Sequence, residues 1–394
     1  MGTRVGTGRS LSRDPLIAGR EAVGLALASM EGRRPALVFL FATAGYDQQS
    51  LVEAVHHAAE GAPVLGCSGE GVIGEHGSEE GSHAVVVATV ASDEIGFHPL
   101  KVENISADPE RAAMELARQV AECGTGGRLL LLFPDGVTFH FGNFFQTLDG
   151  ALPYPLTVAG GTAGDMFAFQ RTYQYFGARA HSDSLSAVLI SGKVDPQLVI
   201  SHGAGLIGAE KQVTASAHGE LREVDGQPAW DYFRQFLPEE AQNLNGMHAA
   251  HLVVAERLPA PVEGFGEFVV RVPLRLDAER GALFFAAGLP EGTMVQAAVR
   301  DAPMVARRGE EAARALRARR SERPLLVIEL NCAGRGRLLF GDQTNPMLIR
   351  PQQAAFEEHT PWVGLHTFGE IAPVGGETRF HNFTGVLCAL YPVA

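Results

Sequence analysis

The apolar positions of this chain fall into two patterns. Short, nearly continuous apolar runs occur at Leu37–Phe41, Val85–Val90, Leu129–Phe133, Leu185–Ile190, Leu325–Leu330 and Val386–Leu390. They read as strands buried on both faces of a sheet. Between them apolar residues recur at helical spacing, as in Leu16, Val23, Leu27 and Met30, then Leu51, Val55 and Ala58, then Ala112, Leu116 and Val120, then Phe141, Phe144, Phe145 and Leu148. Asp14-Pro15 and Asp108-Pro109 open two of these helices as N-cap and first-turn proline, and Gly32 and Gly124 close them.

The elements repeat. Three apolar stretches leave their strand through glycines and end on an acid: Pro63–Gly66 runs on to Gly69-Glu70, Pro155–Val158 to Gly164-Asp165, and Trp362–Gly364 to Gly369-Glu370. Each is preceded by a strand and a helix and followed by another strand. The succession strand, helix, strand, Gly-acid turn, strand predicts three copies of one unit.

The rest of the pattern is mixed. Strands are expected at 197–207. Turn chemistry at Val224-Asp225-Gly226-Gln227-Pro228 precedes a helix with Trp230, Phe233 and Leu237 inward. A boundary between two tightly associated domains, 1–225 and 226–394, is placed there. Residues 251–299 are strand-rich, Glu310–Arg320 is helical, and a helix over Gln352–Glu358 leads into the third turn. The expected fold is α/β, with mixed sheets flanked by helices and internal strand-helix-strand repeats.

Composition narrows the setting. The 394 residues carry a net charge of −13. That disfavours non-specific binding to nucleic acid or an acidic membrane. The one basic cluster, Arg314–Arg323, reads as a solvated helix face. No apolar run has the length of a membrane span, and the first ten residues lack a secretory h-region, so a cytoplasmic location is expected. Four cysteines at 67, 123, 332 and 388 form no CxxC pair and suit a reducing compartment.

Candidate chemistry is sparse. Gly69–Gly74 and Gly203–Gly208 match GxGxxG, but neither is followed by a helix-forming segment, so neither is read as a dinucleotide site. GxxxxGK[ST] and GxSxG are absent from the sequence, and no cofactor is expected. His366, Glu370 and His381 lack the helical spacing that metal ligation favours, so no metal is expected. Cys332 lies near Arg335, an arrangement that lowers a thiol pKa, and it is also the kind of residue that packs as a small hydrophobe. Arg335, Glu370 and Asp165 each follow a glycine at the end of an apolar strand, where ligands of α/β proteins bind. An Arg fork facing a carboxylate suits a zwitterion; the same residues also suit an Arg335–Glu370 or Arg335–Asp165 ion pair joining two repeats.

The motifs GCSGEGVIG (66–74), GGTAGD (160–165), VDGQPAWDYF (224–233), NCAGR (331–335), TFGEI (367–371) and HN (381–382), in this order, resemble the FIST family of paired FIST N and FIST C parts. The resemblance implies a sensory, small-ligand-binding protein of signal transduction, with an amino acid or small carboxylate as ligand and a separate protein as signalling partner. The expected ligand site comprises Gly160, Gly161, Asp165, Asn331, Cys332, Arg335, His366, Glu370 and Asn382. Glycines at 160, 161, 334 and 369 are expected to let the ligand approach bare backbone. Two other readings stand beside this one: a thiol-dependent hydrolase or transferase using Cys332, and a protein-recruiting adaptor.

Overall fold

The computed structural model describes residues 2–139, 141, 143–217, 219–237, 239 and 252–393. The fold is mixed α/β, and the predicted repeat organises it. Within the first sheet, Leu37–Thr43 runs parallel to Val64–Gly69 and antiparallel to Val85–Ala91, and Arg4–Ser10 pairs with the outer side of Val85–Ala91. In the second sheet the same places are taken by Gly127–Pro134, Thr157–Gly161, Ser184–Gly192 and Ile95–Glu103. In the third they are taken by Leu326–Cys332, Trp362–Thr367, Gly385–Pro392 and Val194–Ser201.

Each sheet is completed by a hairpin from another repeat. The first turn sends Gly71–Gly74 and Gly77–Glu79 to the third sheet. The third turn sends Glu370–Val374 and Glu377–His381 to the second. The chain after the second turn sends Gln174–Phe176 and Arg179–His181 to the first. The exchange closes on itself as a ring, so no repeat has a complete sheet without a neighbour.

Alternation along the strands serves two layers. Phe39, Phe41, Leu131, Phe133, Ile328, Leu330, Val363 and Leu365 meet in one central core shared by all three sheets. The intervening residues point outward under helices. Val38 and Leu40 lie under Pro15–Ala28 and Gln48–Ala58, and Leu130 and Leu132 under Pro109–Glu122 and Phe144–Ala151. Val327 and Trp362 lie under Ala302–Arg317 and the helical stretch 345–353.

One glycine recurs for a packing reason. Gly66, Gly160 and Gly364 sit opposite Leu40, Leu132 and Glu329 on the parallel strand, and a Cβ at any of the three would overlap that residue's carbonyl oxygen. Counting from it, the turn acid comes four residues on in Glu70, five in Asp165 and six in Glu370. The turns are therefore equivalent in position but not in length.

A fourth, eight-stranded sheet lies between Val194–Ser201 and the helix Ala302–Arg317. Its core holds Trp230, Phe233 and Leu237, the inward face expected of the helix that follows Pro228.

Several local expectations are corrected. Pro15–Ala28 buries Ala18, Gly19, Ala22, Val23 and Ala26, and leaves Leu16 exposed. The helix lies so close to Arg4–Ser10 that Cβ atoms at Gly6 and Gly8 would strike the carbonyls of Ala26 and Ala22, and only small residues fit that contact. The stretch expected as one strand at 197–207 is two, Val194–Ser201 and Ala204–Ala217, separated at Gly203 with φ of 71°. The helix expected at Glu310–Arg320 begins earlier, at Ala302, where the Asp301 side chain accepts from Met304 N. That expected over Gln352–Glu358 lies upstream, ending at Gln353; Phe356 then packs edge-on against Trp362. The Arg314–Arg323 cluster is only partly solvated. Arg317 pairs with Glu357, Arg320 with Asp195, and Arg319 donates to Leu198 O at 2.7 Å.

Candidate functional site

The three Gly-acid turns converge and bond to one another through backbone. Glu70 N donates to His366 O at 2.9 Å, Gly164 N to Ser68 O at 2.9 Å, and Thr162 N to Gly369 O at 2.8 Å. The three acids nevertheless do different work. Glu70 accepts from Asp165 N and Phe167 N. Asp165 accepts from the amides of Phe169, Gln170 and Arg171, which fixes the loop after the second turn. Glu370 is fully buried and accepts from Thr367 Oγ1 at 2.6 Å, and from Thr384 N and Oγ1. Burial lifts the Glu370 carboxyl to about 7 despite these bonds.

Neither expected ion pair forms. Arg335 has no carboxylate within salt-bridge distance among the described residues. It is fully buried, and its only side-chain bonds run from Nη1 to the Ser201 carbonyl and to Ser201 Oγ at 3.2 Å. Nε and Nη2 have no partner. Those two nitrogens form the side of the guanidinium that matches a carboxylate in bidentate fashion. Burial pulls the guanidinium down to about 10, while Glu370, Cys332 and Glu329 act in the opposite sense.

Asn331 and His366 stand beside Arg335 on the same outer face of the third sheet. Both are buried; among the described residues the amide of Asn331 has no hydrogen-bond partner, and the His366 ring has at most a weak bond to the Cys332 backbone. Burial lowers the His366 pKa, so the ring is neutral at neutral pH. Glu80 Oε1 lies 3.9 Å from His366 Nε2, and Glu80 Oε2 accepts from Arg337 N at 2.7 Å. Below Arg335 lies Glu329, buried, accepting from Trp362 Nε1 at 2.9 Å and Gln352 Nε2 at 3.3 Å; burial lifts it to about 7. Unpaired buried polar atoms are rare because each forfeits its hydration, so several in one place call for a partner.

The other two repeats serve as an internal comparison. The positions equivalent to Glu329 are Leu40 and Leu132, and those equivalent to Asn331 are Ala42 and Pro134. The place of His366 is taken by Ser68, whose hydroxyl bonds to Gly164 O and Tyr173 N, and by Thr162. Only the third repeat carries this polar set on its outer face.

The remaining expected residues lie elsewhere or are occupied. Space over Gly160 is filled by the Leu132 carbonyl, over Gly161 by Thr367, over Gly334 by Phe383 and over Gly369 by Phe380, so these glycines admit protein atoms rather than a ligand. Asn382 Oδ1 accepts from Val272 N at 3.3 Å, toward the fourth sheet. Cys332 is buried, and burial, with Glu370 adding, pushes its thiol up to about 12, opposite to the sense expected from a neighbouring guanidinium. His381 bonds Ala372 O and is held neutral, its pKa lowered to about 3 by burial. Among the described residues no three His, Cys, Asp or Glu groups are placed to hold a metal ion. Neither GxGxxG match opens a helix; Gly74 leads into a hairpin and Gly208 lies within a strand.

Sequence reasoning passed over Glu329, Glu80 and Gln352. Glu329 was legible: it interrupts Leu325–Leu330 where the corresponding runs have leucine.

The chain matches the FIST N domain over residues 36–227 and the FIST C domain over residues 229–373. It belongs to the FIST family. FIST domains are associated with sensory signal transduction. An uncharacterized protein of Mycobacterium tuberculosis is 27% identical over 97% of this chain and 98% of its own length. An uncharacterized protein of Mycobacterium bovis is 26% identical over 97% of each chain. Among solved structures, Thermotoga maritima PurL complexed with ADP aligns over 99% of this FIST chain and 71% of its own, at 11% identity and a TM-score of 0.23, a similarity that carries no argument. No helix among the described residues is long and apolar enough to cross a membrane.

Proposed function

We propose that this FIST protein is a cytoplasmic sensor that binds a small carboxylate ligand, amino acids included, against Arg335, and that it passes the bound state to a separate partner protein. One observation carries the reading: a fully buried guanidinium whose bidentate edge, Nε and Nη2, has no partner among the described residues. A buried guanidinium with no carboxylate in contact is costly to the fold, and a ligand carboxylate supplies that contact and two hydrogen bonds. The unpaired amide of Asn331 and the neutral ring of His366 give further points of recognition. A Cys332-based hydrolase is less well supported, because nucleophilic attack needs a thiolate and this thiol is held protonated at neutral pH.

The test is a thermal-shift screen against amino acids and small carboxylates, repeated on Arg335→Lys. A ligand at one hundred times its Kd stabilises by about 2.7 kcal/mol, a shift of several degrees. Arg335→Lys keeps the charge and loses the planar fork, so it should abolish most of the shift. A ligand that binds parent and variant alike would place the site elsewhere.

A further inference from the structure

The polar groups of the third sheet lie on one transverse line. Ser201 pairs with Gly385, Gly385 with Asn331, Asn331 with His366, and His366 with Gly71. Glu80 is the next rung, since Val72 pairs with Glu79 and Gly71 precedes Val72. The two glycines are hollows in this row, each with a charged group lying over it. A Cβ at Gly385 would stand 2.6 Å from Arg335 Nη1, and one at Gly71 would stand 2.6 Å from Glu80 Cγ. The row thus has a cation at one end, an anion at the other, and two buried polar side chains between them, the unpaired amide of Asn331 and the ring of His366.

The charges cannot satisfy each other. Neighbouring strands are about 4.8 Å apart, so the guanidinium over Gly385 and the carboxylate between His366 and Gly71 are separated by roughly 10–15 Å. The ends are also unlike in access. Arg335 is fully buried, whereas the Glu80 side chain keeps 11% of its exposure and is the way in from solvent. The roof over the Arg335 end is the helix Ala302–Arg317, which presents Gly309 there: a Cβ at this position would be 3.3 Å from Arg335 Nη2. The three glycines, 71, 309 and 385, leave these places to the charged groups themselves: Glu80 lies over Gly71, and Arg335 lies over Gly385 and under Gly309.

We infer that the row is one elongated binding site for an ω-amino carboxylate, with the carboxylate on the Arg335 edge and the cationic amine between His366 and Glu80. After allowing for a hydrogen bond at each end, the spacing suits a linear chain of roughly four to six carbons. Asn331 stands one strand from Gly385, where its amide N–H joins Arg335 on the carboxylate. A neutral His366 accepts from an ammonium where an imidazolium would repel it. The inference rests on the proposal that Arg335 anchors a carboxylate, and goes beyond it in fixing the ligand's other end.

Titration calorimetry on the full chain with five probes separates the two ideas: glycine, γ-aminobutyrate, ε-aminocaproate, hexanoate and adipate. One of the two ω-amino acids should bind at least about tenfold more tightly than hexanoate, since the amine adds a charge-assisted bond. Glycine is too short to reach Glu80 and adipate meets it with like charge, so both should be weaker. Glu80→Gln, with its melting temperature checked against the parent, should cut the preference for amine over hexanoate to within about threefold. Hexanoate binding as tightly as both ω-amino acids would overturn the second pole and leave Arg335 as a carboxylate anchor. Glycine binding as tightly as the longer probes would overturn the elongated site in the same way. If no probe binds, the reading of Arg335 as an anchor falls with it.

Discussion

The indole N–H of Trp362 donates to Glu329 Oε2 at 2.9 Å inside the helix-covered face of the third sheet. In the other two repeats the residue in the place of Glu329 is leucine. Trp362 thus holds a carboxylate that burial alone would expel. Trp362→Phe keeps the packing class but leaves Oε2 unpaired and a smaller ring in its place. The cost should be about 2–4 kcal/mol, read from urea denaturation. A loss under about 0.5 kcal/mol would mean that the bond does not hold Glu329 in solution.

Stability should depend on pH through Glu329. Its carboxyl is raised from 4.5 to about 7 in the fold. The folded state therefore favours the protonated form, and this contribution is full below the unfolded value and lost as pH rises through the folded one. Relative to Glu329→Gln, which cannot titrate, the parent should lose up to about 1.4 kcal/mol per pH unit across that window. His202 and His381 are lowered by burial to about 4 and about 3 and act in the opposite sense, but they cancel in the comparison of parent with variant. A parent-to-variant difference that stays constant from about pH 5 to about pH 8 would show that Glu329 is not raised.

Arg335→Met distinguishes a ligand-binding arginine from a structural one. The residue is buried, and among the described residues its side chain bonds Ser201 alone. Replacing a buried guanidinium that makes no salt bridge by an apolar chain of similar length should leave stability unchanged or raise it by about 1–4 kcal/mol, while ligand binding is lost. A structural arginine would instead cost about 3–5 kcal/mol on removal.

Glycine substitutions test the repeat. Alanine at Gly66, Gly160 or Gly364 would overlap the carbonyl of Leu40, Leu132 or Glu329, and each should cost more than about 4 kcal/mol or prevent soluble expression. At Gly309 an added Cβ meets the end of the flexible Leu348 side chain at 3.1 Å, and helix propensity offsets the crowding, so the net effect should stay within about 1 kcal/mol. Three unequal penalties among the first set would argue against equivalent settings.

Iodoacetamide should label Cys123 first in the native protein, because Cys67, Cys332 and Cys388 are buried and Cys123 is only partly so. Labelling of Cys332 should then follow the opening of the fold, rising with denaturant. Fast, selective labelling of Cys332 under native conditions would revive the thiol-enzyme reading.

The sequence by itself determined the strands, most helices, and the three-unit succession with its Gly-acid turns. These depend on local signals: apolar runs for buried strands, Asp-Pro for helix starts, and Gly where two backbones must touch. It also placed Asn331, Arg335 and His366 among the candidates, since polar residues at the ends of apolar strands stand out in any linear reading. Only the tertiary structure decided what these groups face. Strand pairing across the third sheet sets Ser201, Asn331, His366 and Glu80 on one line although they span the chain from residue 80 to residue 366. The exchange of hairpins is equally non-local, because a hairpin sequence specifies its own turn and not the sheet edge that accepts it. The roles of the three turn acids diverged partly for the same reason. Glu70, Asp165 and Glu370 look alike in sequence, but Glu70 takes amides from the second repeat and Glu370 takes the amide and hydroxyl of Thr384, whereas Asp165 bonds forward into its own loop.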